Sequence, residues 1–170
     1  MNLNVEIGPV LNEGRRYKLR VSGAWVSAAG VPLGRDEEKI FTAGPPDRSQ
    51  PSPATWKLFP PRAGSTDPLR LVFSEPMDWA EIGSQIQLIG LPPDFKGTVE
   101  VPGDATGWAY RPNPSWRAGR YRIAVGTVFE DLAGNSIARP FEVDVTAPAP
   151  AAVPEKVYLD FVVNGAGEKK

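Results

Sequence analysis

The sequence predicts an all-β fold, an antiparallel sandwich or barrel of short strands. Apolar and polar residues alternate in many short runs, the period of a half-buried strand, and no segment of the 170 residues keeps a helical period over three turns. Glycine and proline are frequent, with 17 and 19 copies, and proline is excluded from helix interiors and central strands. Short alternating runs separated by such turn residues are typical of all-β domains.

The alternating runs give the predicted strands in chain order. They lie near residues 3–8, 16–22, 38–43, 69–73, 86–88, 99–101, 108–110, 121–125, 141–145 and 157–163. The outward positions also fit a sheet, because Arg120 and Arg122 are expected to face Glu142 and Asp144 on a neighbouring strand. Cross-strand pairs of opposite charge contribute roughly 0.2 to 1 kcal/mol each.

Composition excludes several classes of function. The chain has 19 basic and 20 acidic residues, so it lacks the positive field of a nucleic-acid or membrane-surface binder. It has no histidine and no cysteine, which excludes Ser-His-Asp and Cys-His nucleophiles and zinc sites built on those ligands. No apolar run approaches the length of a membrane span. We therefore expect no enzyme, no cofactor, no nucleic-acid partner and no membrane insertion.

Two stretches of the chain resemble each other at a fixed offset of 104 residues, as from residue 17 to residue 121. Apolar residues align with apolar residues, and a turn glycine aligns with a turn glycine. The aligned pairs are Tyr17 and Tyr121, Leu19 and Ile123, Val21 and Val125, Trp25 and Phe129, Gly30 and Gly134, and Leu33 and Ile137. The pattern predicts an internal repeat.

The first copy of the repeat has almost nothing ahead of it, so the chain is predicted to begin inside a domain. The predicted organisation is the C-terminal portion of a first unit at 1–44, a Pro/Ser-rich linker at 45–55, a complete domain at 56–146, a Pro/Ala linker at 147–156, an extra strand at 157–163 and a disordered tail at 164–170.

A partial unit of three strands leaves an apolar face that needs a cover. We expect the cover to be the strand at 157–163, the surface of the complete domain, a second chain through strand exchange, or a missing N-terminal half. The residues that need it are Leu3, Val5, Tyr17, Leu19, Val21 and Phe41.

Two longer motifs carry a family resemblance. The sequence FPPRAGSTDPLRLVFSEPMD at 59–78 and the sequence from Gly107 to Val145, with its turn DLAGN, resemble the opening and closing halves of bacterial Ig-like domains of the type found in S-layer proteins. The resemblance covers most of 56–146 and, more weakly, 3–44. The first copy departs from it, with Ser27 in place of Asp131 and Val31 in place of Asn135.

The resemblance implies an Ig-like antiparallel β-sandwich, in one complete copy and one truncated copy. It implies a non-catalytic structural or interaction module, a tandem spacer or adhesion domain of a bacterial exported or cell-surface protein. The implied partners are neighbouring Ig-like domains, a second copy through unpaired strands, or a cell-surface polymer. The implied location is extracellular, cell-surface or periplasmic, although the chain shows no signal peptide. The alternative is a carbohydrate- or calcium-binding accessory domain of a secreted enzyme.

The turn at 130–135 has a structural and a functional interpretation. In the structural one, Gly134 takes a positive φ, Asn135 tolerates one, and Asp131 accepts hydrogen bonds from backbone N–H groups. In the functional one, Glu130, Asp131 and Asn135 bind calcium, but that ion requires six to eight oxygen ligands, more than these residues supply. We favour the structural turn.

A second acidic stretch contains Glu75, Pro76, Asp78 and Glu81. A pair of carboxylates can hydrolyse glycosides. We favour a turn started by proline, with carboxylates capping the backbone N–H groups of residues 79–81.

The tryptophans divide into two groups. Trp25, Trp108 and Trp116 align with apolar partners in the repeat and are predicted to be core residues. Trp56 and Trp79 have no such partner and are the candidates for stacking on a sugar. We favour packing of the linker against the sandwich, because large aromatic side chains are mostly buried, and burial of these indoles would exclude sugar stacking on them.

Overall fold

A computed structural model describes residues 10–141 and 152–165. Within them the chain is mainly antiparallel β-structure with one short helix, which confirms the all-β prediction. The chain divides into two compact units, Met1–Asp47 and Arg48–Lys170. The strand predicted at 3–8, with Leu3 and Val5, lies outside the described residues. So does the strand predicted at 141–145, except for its first residue.

The first unit contains an antiparallel hairpin of β1 (Arg16–Val21) and β2 (Glu37–Thr42). Tyr17 lies opposite Phe41, and their rings stack with centroids 5.9 Å apart. Lys18 Nζ forms a 2.8 Å salt bridge with Glu38 Oε2 across the two strands. The described part of this unit therefore forms a single layer.

The single layer explains why the prediction for Trp25 was wrong. It leaves open what covers the apolar face of the first unit. Trp25 was predicted to be a core residue, but 66% of it is exposed, because the described part of its unit has no second sheet to bury it. Leu19 is also exposed, and Tyr17, Val21 and Phe41 are half-buried. The strand expected as one possible cover, at 157–163, is paired within the second unit instead.

The described residues of the second unit form two antiparallel sheets. One sheet has the order β3-β4-β7-β6 and the other has the order β5-β8-β9. The strands are β3 (Lys57–Phe59), β4 (Leu69–Val72), β5 (Ile86–Ile89), β6 (Gly97–Glu100), β7 (Gly107–Pro112), β8 (Gly119–Gly126) and β9 (Lys156–Val163).

Both sheets contribute to one hydrophobic core. Leu71 and Trp108 lie opposite each other on β4 and β7, and both are buried. Ile123 and Val125 on β8 belong to the same core cluster. Complete burial of such a side chain contributes about 1.5–3 kcal/mol. The alternation seen in the sequence is therefore the alternation between core and solvent.

An aromatic cluster fills one end of this core. The Trp116 ring lies 5.1 Å from that of Phe95, 5.3 Å from Tyr121 and 6.3 Å from Phe161, measured between centroids. Its indole N–H donates a 2.8 Å hydrogen bond to the carbonyl of Asp67. Trp116 and Trp108 are both buried, as the sequence analysis predicted.

The sequence predicted β9 as an extra strand after the complete domain, but β9 is part of a sheet of the second unit. It pairs with β8 along its whole length, from Gly119 opposite Val163 to Gly126 opposite Lys156. Phe161 and Val163 belong to the core cluster. A domain that ends at residue 146 would thus leave out a strand of the compact unit. Phe141, the first residue of the strand predicted at 141–145, is an exposed bend residue.

The helix α1 (Trp79–Gln85) was expected as a turn. Asp78 caps it, because its Oδ1 accepts a 2.8 Å hydrogen bond from the Ala80 N–H. Ile82 anchors the helix in the core with no exposed surface. Seven residues are too few to show a helical period over three turns. Among the described residues, no helix is long and apolar enough to cross a membrane.

Candidate functional site

The turn after β8 is built around one buried carboxylate. Asp131 is only 4% exposed. Its Oδ1 accepts hydrogen bonds from the backbone N–H of Ala133 at 2.7 Å and of Asn135 at 2.9 Å. Its Oδ2 accepts a third, at 3.0 Å, from the side-chain amide of Asn135. The carboxylate is thus a structural acceptor within its own turn.

Gly134 and Asn135 complete this turn. Gly134 has a φ of 83°, a conformation that favours glycine, and an added Cβ would lie 2.8 Å from the Phe141 ring. Asn135 is buried, and its Oδ1 accepts a 3.0 Å hydrogen bond from the Phe141 N–H. The turn residues therefore fix the path of the chain as far as Phe141.

The fold brings together two acidic stretches that the sequence analysis treated separately. The Asp78 N–H donates to the Glu130 carbonyl at 2.9 Å, and the Glu130 N–H donates to Glu81 Oε2 at 3.1 Å. Glu75 and Asp131 have carboxylate oxygens within 4.8 Å of each other. Only the three-dimensional pairing of the two stretches reveals this proximity.

These contacts bear on the two chemical alternatives. Asp78, one half of the possible hydrolytic pair, is the cap of α1, as the favoured interpretation predicted. For calcium, both oxygens of Asp131 are already bonded to N–H donors of the turn. The side-chain oxygen of Asn135 accepts from Phe141. The side-chain oxygens of Asp131 and Asn135, two of the three candidate ligands, therefore have structural partners.

Trp56 is buried, as the favoured packing interpretation predicted, and is not an exposed contact residue. It is 8% exposed, and its ring lies 4.8 Å from that of Phe73 and 6.2 Å from that of Phe129. Trp56, Phe73 and Phe129 all belong to the hydrophobic core cluster, which buries the indole. Trp79, the first residue of α1, is 61% exposed. The two indoles therefore do not form an open aromatic face.

A surface pocket lies on the β5-β8-β9 sheet and was not predicted. Its volume is about 500 Å³, and it is lined by residues 120–122 and 160–162 with Ile89 and Gly90. The Arg122 guanidinium binds Asp160 through two hydrogen bonds, Nε to Oδ1 at 2.6 Å and Nη2 to Oδ2 at 3.0 Å.

The electrostatics of this pocket follow from that ion pair. The hydrogen bond from Arg122 lowers the pKa of Asp160, and the same bond to Asp160 raises the pKa of Arg122. Arg122 also lies 5.3 Å from the centre of the Tyr158 ring. From the sequence, Arg122 was expected to face Glu142 or Asp144, which lie outside the described residues. Asp160, the acidic residue within the 157–163 strand, was the signal that could have identified the observed partner.

No protein-family model matches the sequence, and no curated protein or solved structure is significantly similar to it.

Proposed function

We propose that the chain is a non-catalytic structural or interaction module built from Ig-like units. The observation that carries this proposal is the strand order of the second unit, β3-β4-β7-β6 and β5-β8-β9. When the strands β3 to β9 are lettered A to G in chain order, the two sheets read A-B-E-D and C-F-G. This order matches the arrangement of a constant-type immunoglobulin domain. The core shared between the two sheets supports the same assignment.

The hydrogen bonds of the two units support a tandem repeat. In the first unit the Ser27 N–H donates to the Val31 carbonyl at 2.8 Å. At the offset of 104, the Asp131 N–H donates to the Asn135 carbonyl at 2.9 Å. The same offset relates the isolated bridge Val26–Pro32 to the bridge Glu130–Ser136. It also relates three further backbone hydrogen bonds, written from N–H donor to carbonyl acceptor: Gly30 to Ser27 matches Gly134 to Asp131, Leu33 to Trp25 matches Ile137 to Phe129, and Trp25 to Ser22 matches Phe129 to Gly126.

The same comparison accounts for a departure from the family pattern. Ser27 replaces Asp131 in the first unit, and its Oγ accepts a 3.2 Å hydrogen bond from the Val31 N–H. Asp131 Oδ1 accepts the corresponding bond from Asn135 at 2.9 Å. A hydroxyl thus does in one turn what a carboxylate does in the other. This favours a structural role for the position, because a metal ligand would not be replaced so simply.

The module would work by presentation. A sandwich with a packed core holds its loops and its neighbours at fixed positions, and proline-rich connections restrict their movement. By the resemblance noted above, we place this module on a bacterial exported or cell-surface protein. Antibody labelling of intact and lysed source cells tests the placement. Labelling of intact cells is the expected result, and labelling only after lysis would contradict it.

Calcium binding is the alternative that a specific observation favours, namely the proximity of Glu75 and Asp131. Thermal unfolding with added calcium and with a chelator separates it from the structural turn. We expect no difference in Tm, because the oxygens of Asp131 are bonded within the turn. A Tm raised by several degrees with calcium would favour the accessory-domain alternative.

A further inference from the structure

The pocket on the β5-β8-β9 sheet lies on the face turned away from the core. Ile123 on β8 is fully buried, so Arg122 and Arg120, one and three positions before it, project from the opposite face. Arg122 lies opposite both Ile89 on β5 and Asp160 on β9, and Arg120 lies opposite Val162. Two guanidinium groups and two aliphatic side chains therefore border one exposed concavity.

The charges of this face do not balance. Asp160 neutralises Arg122 through their two hydrogen bonds. Arg120 makes no salt bridge with any residue of the described ranges, although it also contributes to the lowered pKa of Asp160. Arg120 thus presents a guanidinium fork with a positive charge at the edge of the pocket. Such a fork matches the two oxygens of a carboxylate.

We propose that this pocket binds the carboxylate of an acidic sugar, with Arg120 as the group that holds it. The volume of about 500 Å³ lies within the range of small-ligand sites and accommodates a sugar ring. Ile89 and Val162 would contact the apolar side of the ring, and the backbone at Gly90 leaves room for it. This inference rests on the proposed interaction role, because it names the chemistry of a cell-surface polymer as the partner.

The Arg122–Asp160 ion pair beside the pocket limits how tightly the pocket binds a carboxylate. Asp160 holds Arg122 and repels a second carboxylate, so only one arginine is available to the ligand. Asp160→Asn would free Arg122 and remove the repulsion, so it should strengthen binding. Arg120→Gln should weaken it. If Asp160 and Arg120 only supported the fold, the two substitutions would not change binding in opposite directions.

The experiment is an amide chemical-shift titration of the full chain by NMR. The probes are glucuronate, glucose and acetate, which separate the acidic sugar from a neutral ring and from a bare carboxylate. We expect glucuronate to shift the amides of residues 120–122 and 160–162, to bind more tightly than acetate, and glucose to shift none of them. Equal binding of acetate and glucuronate, or binding of glucose, would overturn the assignment to an acidic sugar.

The variants complete the test. Arg120→Gln should weaken glucuronate binding about tenfold, the loss of one charge-assisted hydrogen-bonded contact. Arg111→Gln is the matched control, because Arg111 is an exposed strand arginine that pairs with Glu100 in the other sheet, and its loss changes net charge equally. If Arg120→Gln and Arg111→Gln weakened glucuronate binding equally, the proposal would be overturned. Weaker binding by Asp160→Asn would overturn it as well. Surface labelling of cells without glucuronate binding would refute this inference and leave the proposed module intact.

Discussion

The substitution Asp131→Ala tests whether the turn after β8 is a structural element of the second unit. The carboxylate is buried and accepts three hydrogen bonds. Both donors on Asn135 are buried, so each costs about 1–3 kcal/mol once its acceptor is lost. Ala133 is exposed, and its N–H can bond to water instead. We therefore expect the free energy of unfolding to fall by about 2–5 kcal/mol.

Urea unfolding followed by tryptophan fluorescence measures this change, because Trp56, Trp108 and Trp116 are buried in the same unit. Ser27→Ala is the matched control at the equivalent turn of the first unit. The Ser27 hydroxyl and its Val31 partner are exposed, so we expect a change within about 0.5 kcal/mol. A loss below about 1 kcal/mol for Asp131→Ala would refute the reasoning, and so would a loss seen only when calcium is present.

Three further predictions concern β9, the helix cap and the pocket. Phe161→Ala should lower the free energy of unfolding of the second unit by about 3–5 kcal/mol in urea. Tyr158→Ala, on the exposed face of β9, should change it little, and equal losses would show that β9 does not bury Phe161. Asp78→Ala should cost about 0.5–2 kcal/mol through loss of the α1 cap, and an unchanged urea midpoint would contradict that role. The pKa of Asp160 is lowered by Arg122, so the stability from this pair is present above the ordinary aspartate pKa and is lost as the pH falls through the lowered value. Carboxyl NMR titration of Arg122→Gln should therefore show a higher Asp160 pKa than the wild type, and an unchanged pKa would contradict the pairing.

The sequence alone predicted the features that depend on local pattern. Alternation placed the core strands, since Leu69 and Leu71 are buried and Arg70 between them is exposed. Turn chemistry predicted Gly134 with a positive φ and Asp131 as an acceptor of backbone N–H groups. These outcomes follow from the geometry of a strand and of a tight turn, which a short stretch of residues determines.

The sequence failed where the outcome depends on what lies across the core. Burial of Trp56 was the favoured interpretation, but the sequence did not identify the residues that enclose it, Phe73 and Phe129 from distant positions. Trp25 aligns with the buried Phe129, yet it is exposed, because alignment predicts the local conformation and not the layer that covers it.

The pairing of β9 with β8 is the largest difference between expectation and structure. Two stretches with similar alternation, 141–145 and 157–163, follow β8 in the sequence. Local pattern does not decide which of them pairs with β8. The described structure pairs β8 with β9, and Asp160 thereby meets Arg122. The pocket could not be predicted for the same reason, because β9 forms one of its walls.

We propose that the two sheets of the second unit form one Ig-like sandwich that includes β9. Native-state amide hydrogen exchange of the full chain tests it most directly. We expect the amides of β9 paired with β8 to exchange with the same opening free energy as those of β4 and β7, because Phe161, Leu71 and Trp108 share one core. Fast exchange throughout β9 beside a protected β4 and β7 would show that β9 is not part of this sandwich.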